Sequence, residues 1–243
     1  DLEVFPVVKR IIEKITGEES EYKSPTDMGV NRAGFGIIDD EVCRAASCQE
    51  IIRRYYKCLC DHKRYGETRD DLYKLELLMQ QAGVTIKDRK VACKALEREA
   101  QAENGPAAAI ELPDGTIVTG RTGELLGAAS AALLNALKTL AGIDDEVKLV
   151  APEAIEPIQH LKTSYLGGKN PRLHTDEILI ALSASAASNP LAKKAMQQLP
   201  ALRGCEAHST VLLSSVDEQI INRLGLHLTC EPRYEMDDRM YHK

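Results

Sequence analysis

Apolar side chains recur at helical spacing through the first hundred residues. Ile11, Ile12 and Ile15 mark one face, and Ile51, Ile52, Tyr55, Tyr56 and Leu59 follow the i, i+1, i+4, i+5, i+8 pattern of a second. Leu72, Leu75, Leu78 and Met79, then Val91, Ala92, Ala95 and Leu96, keep the same period up to the charged run EREAQAENGP. Gly105 suits a helix C-terminus and Pro106 cannot continue a helix, so a helical domain is expected over residues 1–104.

Past that point the period changes. AAAIELPDGTIVTGR is two β-rich runs about Asp114 and Gly115, the signal of a hairpin whose turn needs a positive φ. Thr122 leads into GELLGAASAALLNALKTLAGI, an alanine- and leucine-rich helix that Gly142 closes. EVKLVAP is expected as a strand and EAIEPIQHLKTSYLG as a helix; TDEILIALSASAASNPLAKKAMQQL is one or two helices broken at Asn189 and Pro190. CEAHSTVLLS is a strand, SVDEQIINRLG a helix with an S-x-x-E capping box at Ser215 and Glu218, and LHLTCEP a short strand. Alternating strands and helices predict an α/β fold: an N-terminal helical region, then a layered α/β domain with a β-hairpin over residues 105–243.

Composition narrows the partners. Apolar residues make up 44% of the chain and charged ones 28%, as in a globular protein with a substantial core. A net charge of -6, with Lys and Arg interleaved among acids, argues against nucleic acid. No apolar run reaches the roughly 20 residues that span a bilayer, so no membrane is expected. The opening DLEVFPVVKRIIEKI has no basic n-region or small-residue cleavage site, so no signal peptide is expected, and without an initiating Met it reads as a piece of a longer protein. Seven cysteines, an odd number at uneven spacings, fit cytoplasmic thiols better than a disulfide framework. Cys58 and Cys60 form a C-x-C without a C-x-x-C partner, so buried thiols are favoured over a structural zinc.

Several long segments together resemble one bacterial family: YKSPTDMGVN, QEIIRRYY, KLELLMQQAGVT, AIELPDGTIVTGRT, LGGKNPRLHTDEILIALS and LPALRGCEAHSTVLLS. They are similar to the C-terminal half of domain-of-unknown-function family 1846, over nearly the whole chain. The resemblance implies a protein about twice this length, whose other half carries a Gly-Ser-Gly-Lys segment suited to phosphate, and a homo-oligomeric assembly. It implies no reaction. A zinc-protease label borne by some relatives finds no support, since the chain lacks H-E-x-x-H.

Three places could carry chemistry. In RGCEAHST, strand alternation puts Glu206, His208 and Thr210 on one face and Cys205 on the other, so Cys205 and His208 do not form a local nucleophile and base. His227, Thr229 and Glu231 alternate in the same way; were the two strands adjacent, the shared face could hold Zn, Mn or Fe, wall a polar pocket, or be purely structural.

In GGKNPRLHTDE, Lys169, Asn170, Arg172 and Thr175 are candidate ligands for an anion at a helix N-terminus, with His174 as general acid or base. The competing reading makes Thr175 an N-cap, with Asp176 and Glu177 complementing the helix dipole. The loop KSPTDMGVNRAGFG offers Asp27, Asn31 and Arg32 to a pocket, or to helix capping or an oligomer contact. TGRTGELLG matches neither phosphate fingerprint, though Arg121 and Thr122 could touch an anion and Gly127 could admit a close helix.

The expectation is the C-terminal portion of a cytoplasmic enzyme or ligand-binding protein acting on a small anionic, phosphorylated molecule. His174, Glu206 and His208 would handle protons, and the cofactor is unknown. The alternatives are a non-catalytic oligomerisation module and a divalent-metal-dependent enzyme.

Overall fold

A computed structural model describes residues 5–20, 40–66, 69–101 and 105–235. The chain forms two compact units, residues 1–89 and 90–243.

The first unit is helical among its described residues: α1 (Phe5–Thr16), α2 (Asp40–Tyr65) and α3 (Arg69–Ala82), followed by a short 3-10 turn at Ile86–Asp88. The expected apolar positions supply its core: Ile51, Ile52 and Tyr56 of α2, with Leu78 and Met79 of α3, are buried. Asp88 closes the 3-10 turn by accepting from the Thr85 amide at 2.6 Å. Gln49 of α2 donates to the Asp88 carbonyl at 2.8 Å, which ties that turn to the helix.

The second unit begins with α4 (Lys90–Ala100), not with residue 105, because Val91 and Ala95 of α4 pack against Ala109 of the sheet. Four strands, β1 (Ala107–Glu111), β2 (Ile117–Arg121), β3 (Glu206–Ser209) and β4 (His227–Cys230), form one mixed sheet in the order β2-β1-β3-β4. β1 pairs antiparallel with β2 and with β3, while β3 and β4 run parallel, joined by α9 (Ser215–Arg223). The hairpin forms as its sequence predicts: Gly115 sits at φ +83, and Asp114 Oδ1 accepts from the Thr116 amide at 2.9 Å.

The remaining helices are α5 (Ala128–Leu140), α6 (Pro152–His160) with a π turn at Leu161–Tyr165, α7 (Thr175–Ser185) and α8 (Pro190–Met196). An α/β fold is therefore present, in three layers. Central β1 reads AAAIE, and its small side chains admit a helix on either face. Ala109 meets α4; on the other face Gly120, paired with Ala108, lies under α5 so closely that a Cβ would stand 2.1 Å from the Ala132 amide nitrogen. The close-packed glycine is thus Gly120 rather than Gly127, which has open space around it.

Two elements differ from expectation. EVKLVAP forms no strand: Lys138 Nζ donates to the Asp145 carbonyl and Asn189 Nδ2 to that of Leu149 at 3.5 Å, so Leu149 and Val150 are buried in irregular chain. α5 starts at Ala128, six residues after Thr122, because the intervening chain bridges Leu126 to Leu173.

Candidate functional site

The loop expected to hold an anion is pinned from below. Leu173 is buried, its amide donates to the Leu125 carbonyl at 2.9 Å, and its carbonyl accepts from Ser130 Oγ at 3.0 Å. That leaves Arg172 and His174, on either side of Leu173, lining a cavity of about 70 Å³. Its other walls include Pro106, Asn170, Thr122, the first turn of α5 from Gly127 to Ser130, the chain leaving β3 from Val211 to Ser214, Asp217 of α9, and Tyr234 with Glu235. One water needs roughly 10–15 Å³, so the space suits several waters or one small polyatomic anion.

At its centre is an acid–imidazole pair. His174 is the N-cap of α7, and its Nδ1 lies 2.8 Å from Asp217 Oδ2. The same carboxylate accepts from the Thr175 amide at 2.8 Å and from Ser214 Oγ at 2.8 Å. Burial disfavours charge on Asp217, but the hydrogen bond and charge of His174, then the Thr175 amide and Ser214, outweigh it and hold the carboxyl below its ordinary pKa. An ionised Asp217 requires a proton on Nδ1, so the neutral imidazole carries its lone pair on Nε2. Ser214 Oγ is 3.5 Å from the same Nδ1 and gives its proton to Asp217, which is not the arrangement of a hydrolase nucleophile.

Arg172 is the cation of the cavity. Its Nε donates to the Gly123 carbonyl at 2.9 Å and Nη1 meets Glu235 Oε1 at 2.6 Å. Asn170 is buried and turns the loop by accepting the Arg172 amide on Oδ1 at 3.0 Å. The N-cap of α5 is Gly127, which offers its first-turn amides no side chain.

The other expected residues are placed elsewhere. Lys169 is exposed and does not line the cavity; the cation packed against that loop is Lys162 of the preceding π turn, part-buried and held by the Arg172 carbonyl at 2.8 Å and Glu177 Oε2 at 2.7 Å. Thr175 is not the N-cap but the first residue of α7, wholly buried, joined to Asp217 through its amide. Thr122 lines the cavity, while Arg121 does not. Asp27, Asn31 and Arg32 lie outside the described residues.

Glu206 and His208 do share a face with β4, in the register Glu206↔His227 and His208↔Thr229, but neither lines the cavity with His174. His208 is fully buried, with Nδ1 2.8 Å from Thr229 Oγ1 and Nε2 3.3 Å from Glu231 Oε1. Among the described residues no three His, Cys, Asp or Glu side chains converge as a metal site. On the opposite side of β3, burial and then the charges of Glu111 and Glu206 raise the Cys205 thiol, which disfavours a thiolate.

Asp217 and Ser214 went unnoticed in the sequence because SSVDE contains two overlapping cap patterns. The cap is Ser214, whose Oγ accepts from the Asp217 amide at 3.2 Å, one residue before Ser215. That shift turns Asp217 toward His174.

Residues 87–241 match the profile described as domain of unknown function DUF1846, C-terminal, and residues 1–83 match its N-terminal counterpart. The two matches divide near the 89/90 junction of the compact units. The chain is similar to a UPF0371 protein of Corynebacterium glutamicum, 53% identical over 237 residues that cover 97% of this chain and 47% of that protein. A UPF0371 protein of Corynebacterium aurimucosum is 53% identical over 243 residues, covering 100% and 48%, and one of Clostridium botulinum is 50% identical over 248 residues, covering 99% and 49%. The chain thus spans about half the length of the curated relatives it matches. No helix among the described residues is long and apolar enough to cross a membrane.

Proposed function

This chain belongs to the DUF1846 family, and we propose that its cavity binds a small anionic, phosphorylated molecule with which His174 exchanges a proton. The observation that carries this reading is the 2.8 Å contact between His174 Nδ1 and Asp217 Oδ2 on the wall of a cavity that also exposes Arg172. A carboxylate fixed by three donors orients the imidazole and stabilises its protonated form, as a general base requires. Nε2 would take a proton from a hydroxyl or carbon acid of the ligand and return it after bond rearrangement. Arg172 and the first-turn amides of α5 would hold the charged group, since a guanidinium and a helix N-terminus both favour a phosphate. Asp217 is a positioning residue here.

Calorimetric titration of the full-length protein with a panel of phosphorylated metabolites tests the reading. The hit should bind wild type, lose affinity in Arg172→Gln, and bind His174→Gln with little change. Turnover in His174→Gln should fall by about 10²–10⁴. A hit whose affinity and turnover ignore both substitutions would overturn it.

A further inference from the structure

Arg172 and Glu235 meet at 2.6 Å within the cavity, each side chain about three-quarters buried (29% and 25% exposed). Glu235 lies in the chain that follows β4, which is fixed two residues earlier. The Arg233 carbonyl accepts from the Leu212 amide at 2.8 Å, its Nε donates to the Thr210 carbonyl at 2.7 Å, and its Nη2 pairs with Glu99 of α4. Past that clamp, Tyr234 and Glu235 line the cavity. Arg172 does not depend on Glu235 for its position, because Nε is held by the Gly123 carbonyl at 2.9 Å.

A carboxylate on an anchored guanidinium, inside a cavity suited to an anion, occupies the geometry an anionic ligand needs. We propose that Glu235 is an internal competitor: its carboxylate sits on Arg172 where the phosphate or carboxylate group of the ligand binds, and the ligand displaces it. The proposal rests on the anion-binding reading above and adds the subsite and the carboxylate that occupies it. A competent state reached only when Glu235 leaves Arg172 lowers apparent affinity by the fraction of time the pair is broken. The pair also selects, since a neutral analogue gains nothing from Arg172 that repays breaking it.

The test is calorimetric titration of the full chain with inorganic phosphate and, separately, acetate, at ionic strength matched with NaCl. Glu235→Gln should tighten binding of one or both anions about three- to tenfold, and the anion that responds more identifies the group recognised. Arg172→Gln should abolish binding alone and in combination with Glu235→Gln. Equal affinity in wild type and Glu235→Gln, with binding still dependent on Arg172, overturns the internal competitor while leaving the anion site standing. A gain in Glu235→Gln that survives Arg172→Gln also overturns it. No binding of either anion by wild type or Glu235→Gln removes both the competitor and the anion site.

Discussion

The Asp217 carboxylate joins the starts of two helices: Oδ2 lies 2.8 Å from Nδ1 of His174, the N-cap of α7, while Asp217 itself stands in the first turn of α9. It accepts from three donors, and two of them, His174 Nδ1 and the Thr175 amide, come from the other helix. Replacing it removes the carboxylate those donors share.

Asp217→Asn should therefore destabilise the protein by about 2–4 kcal/mol at neutral pH, because an amide offers one oxygen where the carboxylate offers two. The pH dependence has a definite sign. The folded pKa of Asp217 is depressed, so its contribution is complete above the unfolded value, about 3.9, and is lost as pH falls through the folded value. Urea melts from pH 7 down to 3 should show the wild-type advantage over Asp217→Asn shrinking only at the acid end. An advantage that instead grew toward acid would contradict the depressed pKa.

Ser214→Ala should cost about 1 kcal/mol, the usual loss of an N-cap. Ser215 is exposed in the first turn, and Ser215→Ala should stay within about 0.5 kcal/mol of wild type. Thermal melts of the two variants read the register of the cap, and a larger effect at Ser215 would restore the S-x-x-E alternative.

Gly120→Ala should destabilise the second unit by about 2–3 kcal/mol through overpacking, since its Cβ would collide with the α5 backbone at Ala132. α5 also contributes its first turn to the cavity, so a shift of that helix should weaken anion binding. Gly127→Ala meets nothing within 4 Å and should be far milder in the same melts.

His208→Ala should lower stability by about 2–4 kcal/mol by opening a buried void and removing the imidazole contacts to Thr229 and Glu231. It should leave anion affinity unchanged, because His208 does not line the cavity. Loss of affinity in a variant that still melts cooperatively would return His208 to the functional site.

Much of this architecture is legible in residue order, for reasons that act locally. Apolar positions at helical period mark α2, α3 and α4, Asp114 with Gly115 dictates the hairpin turn, and strand alternation separates Cys205 from Glu206 and His208. The segment carrying Arg172 and His174 is legible too, since Gly, Pro and a helix start within a few residues leave polar side chains at a loop end. Tertiary structure decided what those side chains meet. Adjacent apolar residues such as Leu149 and Val150 signal burial but not conformation, and these two are buried without a strand. Whether α4 belongs with the helices before it or the sheet after it depends on Ala109 accepting its face, a contact no periodicity encodes. The His174–Asp217 and Arg172–Glu235 pairs span 43 and 63 positions, and only the packed sheet and its connecting loops set such distances.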